Sequence, residues 1–145
     1  MNRQDKSLQA LIAILRTSGA LENMVRKDVS CYNLNLTEFS VLELLYHKGS
    51  QTIQTIKNKI LIASSSTTYV IDQLVKKGYV KRELCQADKR VTYAEITEEG
   101  KKLMSDIFPK HASRIENNFE NLTEEELVQL KNLLRKVTQE KKEIE

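Results

Sequence analysis

Apolar positions in the N-terminal part of the chain recur with helical spacing. Between Leu8 and about Asp28, Leu8, Leu11, Ile12, Leu15 and Gly19 make one stripe, and Ile14, Leu21 and Val25 make a second. A helix apolar on two sides packs between two bodies, such as its own domain and a partner subunit. Cys31, Tyr32 and Asn33 read as a connection. Thr37 is placed as the N-cap of a second helix carrying Val41, Leu42 and Leu45, which Lys48-Gly49-Ser50 ends. A shorter helix over roughly 54–60 turns Ile56 and Ile60 inward. The cluster Ala63-Ser64-Ser65-Ser66-Thr67-Thr68 supplies capping residues for a fourth helix with Val70, Ile71 and Leu74 at helical spacing. Lys76-Lys77-Gly78 ends it.

After Gly78 the period changes from helical to alternating. Val80 and Leu84, then Ala94 and Ile96, fit half-buried strands surrounded by Tyr79, Val91, Thr92 and Tyr93. The polar run Cys85-Gln86-Ala87-Asp88-Lys89-Arg90 between them predicts a β-hairpin with a charged tip. Thr97 then caps a long helix with Leu103, Ile107 and Ile115 inward, which Pro109 is expected to kink or break. Thr123-Glu124-Glu125-Glu126 is a capping box opening a last helix, whose narrow stripe is Leu127, Leu130, Leu133, Leu134 and Val137. The expected fold is mainly α with a small β-hairpin: four helices, the hairpin, two helices.

Composition agrees. The 145 residues suffice for a core without a metal or disulfide staple, and one Pro and four Gly leave little helix-breaking punctuation. No apolar run approaches the roughly 20 residues of a membrane span, and the N-terminus lacks a small-residue cleavage site, so a cytoplasmic protein without a membrane partner is expected. Cys31 and Cys85 are too few for a disulfide framework, and His47 and His111 lack the clustering of a metal site. No metal or other cofactor is expected. The net charge of +3 is unevenly spread. Residues 1–47 are balanced, and residues 97–145 carry a net −2. Residues 48–96 hold nine basic against four acidic groups, a net +5, where a polyanion would bind.

Two short helices joined tightly and followed by a hairpin make a winged helix-turn-helix. The N-terminus of the second helix presents hydroxyl side chains and free N–H groups, which suit phosphates and base edges in a major groove. The hairpin reaches sideways across the backbone, where an Arg at its tip enters a narrow, electronegative minor groove. No nucleophile triad, carboxylate pair, phosphate loop or metal spacing points to an enzyme. The rival reading is a winged-helix protein-interaction module without sequence-specific DNA binding, which a neutral wing would favour over this basic one.

Specific residues sharpen the picture. Leu36-Thr37-x-x-x-Val41-Leu42-x-x-Leu45, Ser64-Ser65-Ser66-Thr67-Thr68-x-x-x-Asp72-x-Leu74-x-x-Lys77-Gly78, and above all Asp88-x-Arg90 followed by Ile96-Thr97-x-x-Gly100 resemble the MarR family of transcriptional regulators over nearly the whole chain. Within that family the chain is most similar to the quinone-responsive, MhqR-type repressors. The resemblance implies one MarR-like domain over 1–145, with a DNA-binding lobe at 34–97 and dimerisation helices at 1–33 and 98–145. It implies a recognition helix from Ala63 to Lys77, a wing at 79–96, Arg90 as the minor-groove arginine, and Asp88 bracing its guanidinium. A homodimer repressing from an inverted-repeat operator on double-stranded DNA follows, released by a small aromatic phenol or quinone or by thiol modification.

Tyr69 and Gln73 stand where many relatives carry Arg. Phosphate attraction then leans on Lys57, Lys59, Lys81, Arg82, Lys89 and Arg90. Readout falls to the hydroxyls of Ser64, Ser65, Ser66 and Thr68 with Tyr69 and Gln73, which predicts a modest preference for A·T-rich sites. Lys76 and Lys77 read as closing a helix C-terminus rather than touching DNA. The resemblance also implies an effector pocket, with Leu15, Arg16, Gly19, Phe39, Tyr46, His47, Phe108 and His111 as candidates. Cys31, beside Tyr32, is the redox candidate; Cys85 near the wing is a weaker one.

Overall fold

A computed structural model describes residues 1–60 and 66–139. Among them, helices α1 (Arg3–Ser30), α2 (Leu36–Lys48), α3 (Ile53–Lys59) and α4 (Thr67–Lys76) precede the strands β2 (Val80–Leu84) and β3 (Thr92–Ile96). Helices α5 (Glu98–Asn118) and α6 (Glu124–Val137) follow. A two-residue strand, β1 (Gln51–Thr52), pairs antiparallel with β3 and makes the hairpin a three-stranded sheet in the order β1-β3-β2. It was too short to leave a period in the sequence. The chain divides into two compact units, Met1–Phe108 and Pro109–Glu145.

The core of the first unit is built from the stripes that the sequence marks. Val41, Leu42 and Leu45 of α2, Ile56 of α3, Val70, Ile71 and Leu74 of α4, Val80, Ala94 and Ile96 of the strands and Met104 and Ile107 of α5 are all buried together. Three local expectations change. Thr37 does not cap α2: Asn35 does, accepting from the Glu38 N–H at 2.8 Å while Glu38 accepts from the Asn35 N–H at 2.9 Å, and Thr37 lies buried inside the first turn. Asn and Thr are both good caps, so residue type alone does not choose between neighbouring sites. Leu84 is exposed rather than half-buried: it alternates onto the same face as Val80, but Val80 is the one buried residue of β2. The break expected at Pro109 does not occur: α5 runs on to Asn118, and the proline forfeits a single N–H.

The last helix of the N-terminal four also starts later than expected. It begins at Thr67 with Ser66 as N-cap, and the Ser66 side chain makes no capping hydrogen bond. Ala63, Ser64 and Ser65 lie outside the described residues. At its other end, α4 closes in a Schellman turn. Gly78 takes φ +85° and donates to Val75 O at 3.0 Å, and Tyr79 donates to Leu74 O at 3.0 Å.

Two faces are left apolar and exposed. Along α1, Leu8, Leu11, Ile12 and Leu15 are exposed, and Val29 is the helix's buried residue. Along α6, Leu127, Leu130, Leu133, Leu134 and Val137 are exposed, behind a complete capping box between Thr123 and Glu126. Contiguous apolar stripes of this kind mark contact surfaces.

Candidate nucleic-acid interface

The exposed face of α4 follows from its own amphipathic pattern. Thr67, Val70, Ile71 and Leu74 are buried, which turns Thr68, Tyr69, Asp72, Gln73 and Lys76 to the other side. Tyr69 is 59% exposed and Gln73 half-buried, so the phenol and the amide lie on the same face, one turn apart. Ser66 and Thr68 are exposed at the N-terminal end of that face.

The wing is fastened to this helix. Arg82 of β2 forms an ion pair with Asp72 of α4, and its Nη2 donates to the Thr68 carbonyl at 3.3 Å. Arg82 therefore braces the wing as well as adding positive charge, a role the sequence does not reveal because the nine residues between it and Asp72 hide the contact. Lys81 pairs with Glu95 across the β2–β3 ladder at 3.5 Å. Lys57, Lys59 and Lys89 are exposed. An open groove of about 690 Å³ runs between Thr52 and Gln54 at the start of α3, Thr68 and Asp72 of α4, and Arg82 and Arg90 of the wing.

Arg90 stands at the tip with its side chain 90% exposed. Asp88 accepts from Arg90 three times: from Nε at 3.1 Å, from Nη2 at 3.1 Å and from the backbone N–H at 3.0 Å. The tip is closed by Val91 N–H donating to Asp88 O and by Cys85 N–H donating to Val91 O. The Arg90 side-chain hydrogen bonds, and then its backbone N–H, hold the Asp88 carboxyl below its ordinary value. A lowered carboxyl stays ionised at neutral pH and loses its charge only as pH falls through that lowered value. The brace thus contributes no pH dependence to the wing between about pH 5 and 8.

Of the effector candidates, the structure brings three together. Phe108 of α5 packs edge-on against His47 of α2 at 4.4 Å between ring centroids, and Tyr46 lies 5.2 Å from His47 and 6.5 Å from Phe108. Phe39 is buried in the core, whereas Leu15, Arg16 and Gly19 are exposed on α1. His111 belongs to the second compact unit. Cys31 is exposed just past the end of α1, with its thiol donating to Asp28 O at 3.4 Å, and Cys85 is half-buried at the base of the wing tip.

Helices α3 and α4 with a basic, braced hairpin beside them define a winged helix-turn-helix, the class of DNA-binding regulators. Residues 34–92 match the MarR family, and the chain is 44% identical to the HTH-type transcriptional regulator MhqR of Bacillus subtilis over 92% of either chain. The protein belongs to the MarR family of transcriptional regulators. Its backbone is similar to that of Sco3205, a MarR-family regulator from Streptomyces coelicolor solved in complex with DNA. The TM-score is 0.85 at 20% identity, covering 98% of this chain and 91% of that one. It is also similar to NadR solved in complex with 4-hydroxyphenylacetate, with a TM-score of 0.75 at 27% identity, covering 87% of this chain and 89% of that one.

Proposed function

We propose that this regulator is a homodimeric repressor that occupies an inverted-repeat operator and is released by a small aromatic inducer. The observation that carries the reading is the joint presentation of one α4 face and the Arg90 guanidinium, held together through Arg82. Tyr69, Gln73, Thr68 and Ser66, with Ser64 and Ser65 before it in the sequence, read bases in the major groove. Arg90, oriented by Asp88, enters the minor groove, and Lys57, Lys59, Lys81, Arg82 and Lys89 serve the phosphates. With no Arg on the α4 face to make bidentate contact with guanine, the half-sites carry a modest preference for A·T.

The exposed stripes of α1 and α6 supply the dimer surface, which sets the two recognition helices about 34–36 Å apart, or a multiple of that. The aromatic group of Tyr46, His47 and Phe108 offers ring faces and edges to a phenol, quinone or aromatic carboxylate. The NadR complex with 4-hydroxyphenylacetate supports a ligand of that chemistry. An inducer acts by binding better to a lobe spacing that does not fit the operator, and modification of Cys31 is the redox route to the same end.

The test is selection of duplexes from a random pool by the purified chain, with sedimentation of the free protein. Enrichment of an A·T-rich inverted repeat by a dimer, and a steep fall of affinity with salt, is the expected result. Competition with phenols and quinones, with and without reductant, is expected to release the duplex. A monomer indifferent to duplex DNA at low ionic strength, or enriched half-sites rich in G·C, would count against the reading.

A further inference from the structure

The C-terminal end of α4 is held by a residue that the DNA-binding face does not use. Lys77, the C-cap of α4, projects away from the wing to the junction of α1 and α2. Its Nζ lies 2.7 Å from the Asn33 carbonyl, 3.0 Å from Glu38 Oε1 and 2.8 Å from Glu38 Oε2. An ammonium group has three protons, and here three oxygens face them. Glu38 is 3% exposed, and a carboxylate so buried is tolerated only when paired and hydrogen-bonded. Its partners are Lys77 and the Asn35 N–H that it caps at 2.9 Å. Asn33 sits in the turn between the two helices with φ +59°, a conformation that Asn accepts more readily than most residues.

We infer that Lys77 is a positioning residue for DNA reading: it ties the recognition helix to the turn between α1 and α2, so that base readout depends on how that turn is set. Two ties then orient α4. Arg82 links its first turn and its middle to the wing through Thr68 and Asp72, and Lys77 links its C-terminal end to Asn33 and Glu38. A rotation of α4 by a fraction of a turn moves Tyr69 and Gln73 off their base edges, while phosphate attraction, which is insensitive to orientation, is kept. The inference deepens the DNA-binding reading and rests on it.

Glu38→Gln is the decisive variant, because the glutamine oxygen still caps Asn35 while the charge that holds Lys77 is gone. Lys77→Met removes the other partner. Affinity is measured for a duplex that the wild-type chain has selected and for a random-sequence duplex, over a range of salt, with thermal unfolding to confirm folding. Both variants are expected to lose about tenfold in affinity for the selected duplex, and the double variant no more than either single one. A pure charge effect would move the two in opposite directions, since Glu38→Gln adds positive charge and Lys77→Met removes it. If Glu38→Gln kept or gained affinity for the selected duplex, or if Lys77→Met weakened both duplexes equally with a shallower salt slope, Lys77 would be an ordinary phosphate contact and the inference overturned. Should Lys77→Met fail to fold, Glu38→Gln decides alone. A wild-type chain that selects no duplex overturns the functional reading, a different result from variants that match a binding wild type.

Discussion

Gly100→Ala is expected to lower stability by about 3 kcal/mol or more, although alanine is the better helix former. The position is buried in the first turn of α5, and a Cβ built there would lie 2.4 Å from the Tyr79 carbonyl oxygen and 2.6 Å from Ile96 Cγ1. Ile96 could turn aside; the carbonyl could not. Tyr79 O accepts the Thr97 N–H at 2.9 Å, and Thr97 Oγ1 donates to Gly78 O at 2.6 Å while accepting the Gly100 N–H at 3.1 Å. Moving the carbonyl therefore disturbs the exit of α4, the first residue of the wing and the cap of α5 together. Against that, relief of glycine's conformational entropy returns at most about 1 kcal/mol. The overlap wins. A thermal midpoint lowered by roughly 10 °C is the expected reading in a chain of this size, with weaker DNA binding because the wing root has shifted. A midpoint equal to or above that of the wild type would show that the backbone absorbs the methyl group and that the root of the wing is not tightly built.

The same residues show why the fold was legible from the sequence and some of the site was not. Thr97-x-x-Gly100 marked the strand-to-helix junction as a motif, and the structure supplies its physical reason: one hydroxyl joins two elements, and one missing Cβ lets them approach. The apolar stripes of α2 and α4 and the change of period after Gly78 report local burial, which is why they survive in the order of residues. Arg82 looked like one more cation because its partner, Asp72, is on another element; Lys77 and Glu38 are 39 residues apart and gave no local signal at all. Thr37 and Asn35 were separable only by backbone geometry. Contacts within one period can be read from a sequence, whereas polar pairs across elements need the packing of the elements first.

Arg90→Ala should leave stability unchanged and lower affinity for the selected operator by roughly ten- to a hundredfold. The side chain is nearly fully exposed and makes its hydrogen bonds to Asp88 within the wing tip, so its removal takes nothing from the core. What it takes is a cation already oriented. In the free protein, Asp88 holds Nε and Nη2, so much of the rotamer freedom of Arg90 is gone before DNA arrives and little ordering is left for binding to impose. Charge and orientation separate in a pair of variants. Arg90→Ala removes both, and the salt dependence of binding should become shallower by about one ion. Asp88→Ala keeps the cation and frees it, so the salt slope should stay as it was or steepen slightly while affinity falls by less. The wild-type affinity should also stay flat between about pH 5 and 8 as far as this pair is concerned, since the lowered Asp88 carboxyl remains ionised throughout. Full operator affinity in Arg90→Ala at ordinary salt would remove the wing tip from the interface and leave α4 to carry recognition unaided.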